Sequence, residues 1–235
     1  MSAPVRGVIF DKDGTLFDFR TTWEAWAAAF LRRAARGDED RAARAGRALR
    51  FDLAAARFAP DSVAIAGTMQ EIADALAPEF PELDHAALLD LLNTEAARAP
   101  QAEAVPLVPF LNGLRGRGLR LGVATNDSER PAQAHLESAG VSALFDFVAG
   151  FDSGHGGKPA PGQLLAFCAE QGLDPSEVVM VGDSLHDLLA GKAAGMRSVA
   201  VLTGMASAET LAPHAVAVLP DIGALPAWLD ALATH

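Results

Sequence analysis

Two hydrophobic periods divide the chain. Val5 to Phe10 is a short apolar, β-branched run that reads as a buried strand, and it stops at Asp11-Lys12-Asp13-Gly14-Thr15, two carboxylates one residue apart before a glycine that lets the chain turn. After Thr15 the period changes. Trp23, Trp26, Ala27, Phe30 and Leu31 recur at spacings of three and four, which predicts a helix capped by Thr21 or Thr22. Further helices are expected at Glu39 to Phe58, Ser62 to Leu76 and Asp84 to Ala97, broken by Pro60 and by the Pro78 to Pro81 segment. No strand is expected between Leu16 and Ala99.

From Pro106 strand and helix alternate. A helix from Pro106 to the glycines at 116 and 118 leads to a strand at Leu119 to Ala124, then Thr125-Asn126-Asp127 and a helix over Ser128 to Ala139. A strand near Phe145 to Val148, a Gly-rich loop, a helix over Pro161 to Gln171 and a strand over Val178 to Val181 follow. Gly182-Asp183 then opens another helix, and Ser198 to Leu202 reads as a strand. Such alternation predicts an α/β fold, a Rossmann-like doubly wound parallel sheet covered on both faces. The expected organisation is a core of residues 1–17 and 104–235 with an all-helical cap, residues 18–103, inserted after the first strand. Leu16 to Arg20 and Pro100 to Pro106 are the expected linkers, and a domain inserted beside a site is a natural lid.

Composition adds limits. At 235 residues, 50% hydrophobic and 21% charged, the chain is expected to be globular and soluble. A net charge of -11 argues against a nucleic-acid partner, which needs Lys and Arg to displace counterions. No apolar run is long enough to span a bilayer, and with the first strand starting at Val5 no cleaved leader is expected. With one cysteine, Cys168, no internal disulfide can form, so the expected location is the cytoplasm. Cys168 itself reads as a small buried apolar residue.

Parallel strands place their carboxyl ends on one edge, where open α/β sheets bind ligands. That edge gathers Asp11 and Asp13, Thr125 and Asn126, Lys158-Pro159, and Asp183 with Asp187. Carboxylate oxygens suit Mg²⁺, a carboxylate can attack phosphorus, and a lysine with a hydroxyl can steady the other phosphoryl oxygens. Together they are a kit for phosphoryl transfer.

These four motifs, Val8 to Leu16, Thr125-Asn126, Lys158-Pro159 and Gly182 to Asp187, stand in the order seen in the haloacid dehalogenase-like (HAD) hydrolase superfamily. Over nearly its whole length the chain resembles the phosphoglycolate phosphatase-like branch with a helical cap. The resemblance implies Asp11 as nucleophile and Asp13 as general acid and base. It implies Mg²⁺ held by the Asp11 carboxylate, the Asp13 backbone carbonyl and Asp183, with Asp187 in support. Thr125 and Asn126 would hold the phosphoryl group, and Lys158 would balance its charge and that of Asp11. Halide-displacing members lack an acid at position 13, so phosphoryl transfer is the better match.

Other residues are weighed on position. Strand alternation turns Lys12 away from the two acids, toward solvent or a salt bridge. Lys192 reads as a surface residue and His186 as peripheral. Arg41, Arg44, Arg47 and Arg50 follow one helix flank behind Asp38 to Asp40, which predicts a solvated face with intrahelical pairs. Trp23, Trp26 and Phe30 read as cap core. His155, Arg20, Thr21 and Arg57 are candidate substrate contacts, and Gly157 stands where many relatives carry a bulkier, often basic residue. The expected activity is hydrolysis of a small phosphomonoester such as 2-phosphoglycolate. The rivals are a sugar-phosphate mutase, a nucleotide or pyrophosphate hydrolase, and a regulatory protein that binds a phosphometabolite without turnover. The expected partner is a small phosphorylated metabolite, with no nucleic acid and no membrane, and the chain is expected to act as a monomer or homodimer.

Overall fold

A computed structural model describes residues 3–233. In chain order the elements are β1 (Gly7–Phe10), α1 (Phe19–Ala34), α2 (Glu39–Ala48), β2 (Phe51–Asp52), β3 (Arg57–Phe58), α3 (Val63–Ala66), α4 (Met69–Leu76) and α5 (His85–Ala96). There follow α6 (Leu107–Gly116), β4 (Arg120–Ala124), α7 (Glu129–Ser138), β5 (Phe147–Ala149), α8 (Gly162–Gln171), β6 (Val178–Gly182) and α9 (Leu185–Ala194). The chain then forms β7 (Arg197–Val201), α10 (Ala208–Leu211), β8 (Ala217–Leu219) and α11 (Leu225–Ala233).

Six strands make one parallel sheet in the order β5-β4-β1-β6-β7-β8. Side chains of β1 alternate between its faces. Val8 and Phe10 pack in one apolar cluster with Leu107, Leu111 and Leu225, whereas Ile9 packs in another with Phe167 and Met180. Burial on both sides explains why these strands read as unbroken apolar runs. The strand order changes direction at β1, so the loops after β4, β1 and β6 spread apart there and leave a crevice.

Residues from Phe19 to Ala99 bury an apolar cluster of their own, with Trp26 stacked on Phe30 at 5.2 Å between ring centres. Asp18 and not Thr21 or Thr22 caps α1: its carboxylate accepts from the Thr21 N–H at 2.7 Å, and Thr22 lies buried inside the helix. The helix expected to run on to Phe58 stops at Ala48, and a two-stranded ribbon, β2 with β3, takes its place. Arg50 adopts φ 53°, and the Asp52 carboxylate accepts from the Ala54 and Ala55 N–H groups at 2.9 and 3.0 Å, which reverses the chain. The arginine flank is also different from expectation. Arg41 pairs with Glu82 at 2.6 Å and Arg44 with Glu79 at 3.1 Å, so these residues brace α2 against the turn after α4 instead of pairing along one helix.

The two linkers are stitched side by side. The Asp18 N–H donates to the Ala102 carbonyl at 2.8 Å and the Ala104 N–H to the Leu16 carbonyl at 2.9 Å. Among the described residues, no helix is long and apolar enough to cross a membrane.

Candidate active site

Phe10 lies level with Val123 of β4 on one side and Val181 of β6 on the other. Neighbouring strands are about 4.8 Å apart, so Asp11, Thr125 and Asp183 emerge close together. Gly14 then turns the chain at φ 82°, and a Cβ on it would stand 2.6 Å from the Asp183 carboxyl carbon. Only glycine leaves Asp183 that room.

Lys158 arrives from the loop after β5. Its Nζ donates to Asp11 Oδ1 at 2.5 Å and to Asp187 Oδ1 at 2.6 Å, with all three side chains almost wholly enclosed. Asn126 fixes this lysine from behind: its amide oxygen accepts the Lys158 N–H at 2.8 Å and its amide nitrogen donates to the Lys158 carbonyl at 2.9 Å. Asp187 occupies the first turn of α9, where its other oxygen accepts from the Ser184 N–H at 2.9 Å and hydroxyl at 2.7 Å. One aspartate thus caps a helix and anchors the lysine.

Burial drives the electrostatics. It pushes the Asp11 carboxyl up to about 7, against the pull of Lys158, with Asp187 and Asp13 adding to the rise. Asp183 is raised well above the usual carboxylate range by burial and by Asp187 and Asp11. Burial alone would lower Lys158, but the charges of Asp11 and Asp187 outweigh it and keep it protonated. Carboxylate oxygens of Asp11, Asp183 and Asp187 all lie within 4.8 Å of one another. Three enclosed carboxylates around one lysine leave negative charge unmatched, so the donor set fits a hard divalent cation.

A second buried ion cluster adjoins this one. Lys12 is fully enclosed, pairing with Asp13 at 2.7 Å and Asp127 at 3.3 Å and lying 2.9 Å from His135 Nδ1. Its Nζ also sits 5.5 Å from the centre of the Trp23 ring. A solvent-facing Lys12 is therefore ruled out. Strand alternation stops applying at Asp11, because the Lys12 carbonyl accepts from the N–H groups of Leu16 and Phe17 in a tight turn. Burial pushes Asp127 up to about 6 against the pull of Lys12, and burial and then Lys12 push His135 down to about 4. His135 Nε2 reaches the Ala96 carbonyl of α5 at 2.7 Å. The cluster ties the turn to the cap. The sequence pattern assigns Asp127 and His135 no role, and the salt bridge it allows for Lys12 is the alternative that the structure bears out.

Asp11, Asp13, Thr125, Asn126, Lys158, Asp183 and Asp187 all line one cavity of about 50 Å³. Arg20, His155 and Arg57 do not reach it. Arg20 is exposed beside Met205, His155 is exposed with its ring 6.3 Å from that of Phe147, and Arg57 is exposed on β3. Thr21 is exposed as well. His186 does line the cavity. Cys168 is buried, and burial raises its thiol to about 11, which leaves it a packing residue.

Residues 5–195 match the family model of the haloacid dehalogenase-like hydrolases. A phosphoglycolate phosphatase from Rhodospirillum rubrum is 38% identical over 120 residues, 51% of this chain and 50% of that one. The chain thus spans about half the length of that relative. A phosphoglycolate phosphatase from Xylella fastidiosa is 33% identical over 210 residues, 87% of this chain and 83% of that one. A HAD phosphatase structure from Thermococcus onnurineus superposes with a TM-score of 0.66 at 23% identity, covering 96% of this chain and 98% of that chain.

Proposed function

The chain belongs to the haloacid dehalogenase-like hydrolases, and on that premise we propose that it is a Mg²⁺-dependent phosphatase of small phosphomonoesters, about the size of 2-phosphoglycolate, working through an aspartyl phosphate. The observation that carries this proposal is the enclosed contact of Asp11 with Lys158 at the end of β1, beside Asp13 and Asp183. Asp11 has one oxygen on Lys158. Its other oxygen is the nucleophile, forming a bond to phosphorus as the ester P–O bond breaks. Asp13, two residues beyond the nucleophile and lining the same cavity, gives its proton to the departing alkoxide. It then takes a proton from water, whose oxygen attacks phosphorus and frees Asp11 and phosphate. Thr125 and Lys158 orient the remaining phosphoryl oxygens, and Asn126 holds Lys158 in place through its backbone.

Asp11, Asp183 and the Asp13 carbonyl would hold Mg²⁺, with Asp187 in support, and the ion would supply positive charge against the phosphoryl oxygens. The relatives named phosphoglycolate phosphatase support the substrate size. Retention of all six polar residues, Asp11, Asp13, Thr125, Lys158, Asp183 and Asp187, around one cavity favours turnover over a purely binding role.

The test is phosphate release from a panel of phosphomonoesters, nucleotides and pyrophosphate, with Mg²⁺ and with chelator, for the wild type and Asp11→Asn. Metal-dependent release that disappears in the variant is expected. Release by Asp11→Asn at the wild-type rate would falsify the nucleophile.

A further inference from the structure

The cavity has two unlike walls. The core wall is polar and crowded with charge: it carries five aspartates, Asp11, Asp13, Asp127, Asp183 and Asp187. The cap wall, made by Phe19, Trp23, Ile65, Met69 and Ile72 with Gly67, is apolar. Among the described residues lining the cavity, both basic side chains, Lys158 and His186, come from the core, and the cap supplies none. The candidate cap-side cation, Arg20, lies outside it.

From this asymmetry we propose that the enzyme prefers phosphomonoesters whose leaving group is small, uncharged and mainly apolar, and that it discriminates against a carboxylate there. The proposal rests on the phosphatase reading and refines its substrate. A phosphoryl group against Lys158 and Thr125 directs its leaving group at the facing wall. A carboxylate at that place meets Ile65, Met69 and Ile72, with no cation on that side to replace the water it gives up. It also adds negative charge to a cavity lined by five aspartates, while Lys158, which lines it, is engaged with Asp11 and Asp187, and Lys12, which stands behind it, is engaged with Asp13 and Asp127. The cap wall offers one polar hydrogen on its side chains. The indole N–H of Trp23 is buried without a hydrogen-bond partner among the described residues. It cannot neutralise a charge.

The experiment measures kcat/KM for propyl phosphate, 2-hydroxyethyl phosphate and 2-phosphoglycolate, which are similar in size and differ in the charge of the leaving group. Acetyl phosphate, whose leaving group needs no proton, is the control for turnover. Both neutral esters are expected to exceed 2-phosphoglycolate by about tenfold, the scale on which a hydrophobic pocket sorts substrates. Ile65→Arg, checked for an unchanged fold by circular dichroism and melting, is expected to narrow or reverse that ratio. Parity of the three esters in the wild type, or a preference for 2-phosphoglycolate, overturns the proposal and leaves the phosphatase standing. No release from any of the three esters or from acetyl phosphate overturns both.

Discussion

Lys158 and Lys12 are built alike and placed differently. Each is enclosed, and each Nζ is held between two aspartates, Asp11 and Asp187 for one and Asp13 and Asp127 for the other. Lys158 and both its partners line the cavity, whereas Lys12 stands behind it, against Trp23 and His135. An ammonium between carboxylates is thus no sign of chemistry in itself. Access to the cavity separates them: Asp13 and Asp127 line it as Asp11 and Asp187 do, but of the two ammonium groups only that of Lys158 reaches it, while Lys12 holds the turn that carries Asp13.

Asp11→Asn sets the upper end of the scale, with kcat expected to fall by about 10⁴-fold or more, the size seen when a nucleophile is removed. Lys12→Met is expected to cost about 3 kcal/mol of stability in urea unfolding, because it strands the buried Asp127 carboxylate beside the half-buried Asp13, with a smaller effect on kcat than Lys158→Met. Adding Asp127→Asn to that variant should recover part of the loss. Lys158→Met should do the converse, lowering kcat by about 10²–10³-fold with the smaller change in melting temperature. Asp11, already pushed up to about 7, sheds the stranded charge by taking a proton more readily than Asp127, pushed up to about 6. If the two lysine variants showed the same split between stability and turnover, the distinction between the clusters would collapse.

The smallest expected effect is a pH dependence. His135 is pushed from 6.5 down to about 4 by burial and Lys12, so its neutral form is favoured in the native state and its contribution is complete above pH 6.5. That contribution is lost as pH falls from 6.5 through 4, by up to about 3 kcal/mol at 1.36 kcal/mol per unit. Raised carboxyls such as Asp127 work in the opposite sense over a similar range. The difference between wild-type and His135→Gln stability profiles therefore isolates the histidine, and parallel profiles between pH 4 and 7 would remove it from the account.

The Lys158 cluster is legible in the sequence because Asp11 directly follows a strand and Lys158 and Asp187 lie in the loop and helix that follow two others, on the edge where parallel strands end. The Lys12 cluster is not, since it depends on how α7 and the cap pack against a turn after the strand has ended. The helical spacing of Trp23 marks it as cap core and says nothing of the cavity that it also lines. The ribbon from Phe51 to Phe58 was hidden by Leu53 and three alanines, all good helix formers, while the turn hinges on Asp52 and two residues at positive φ, Arg50 and Ala56. Strand β8 escaped notice at three residues, too few to show a period.

The paired hydrogen bonds between the linkers, Asp18 to Ala102 and Ala104 to Leu16, bring both ends of the inserted segment to one point. To the sheet, some eighty residues are thereby equivalent to a short hairpin, the kind of junction that accepts insertions without disturbing its host. A different lid could be grafted at Phe17 and Glu103, which already face each other in a bridge, and the same phosphoryl chemistry would then be offered to a new set of leaving groups.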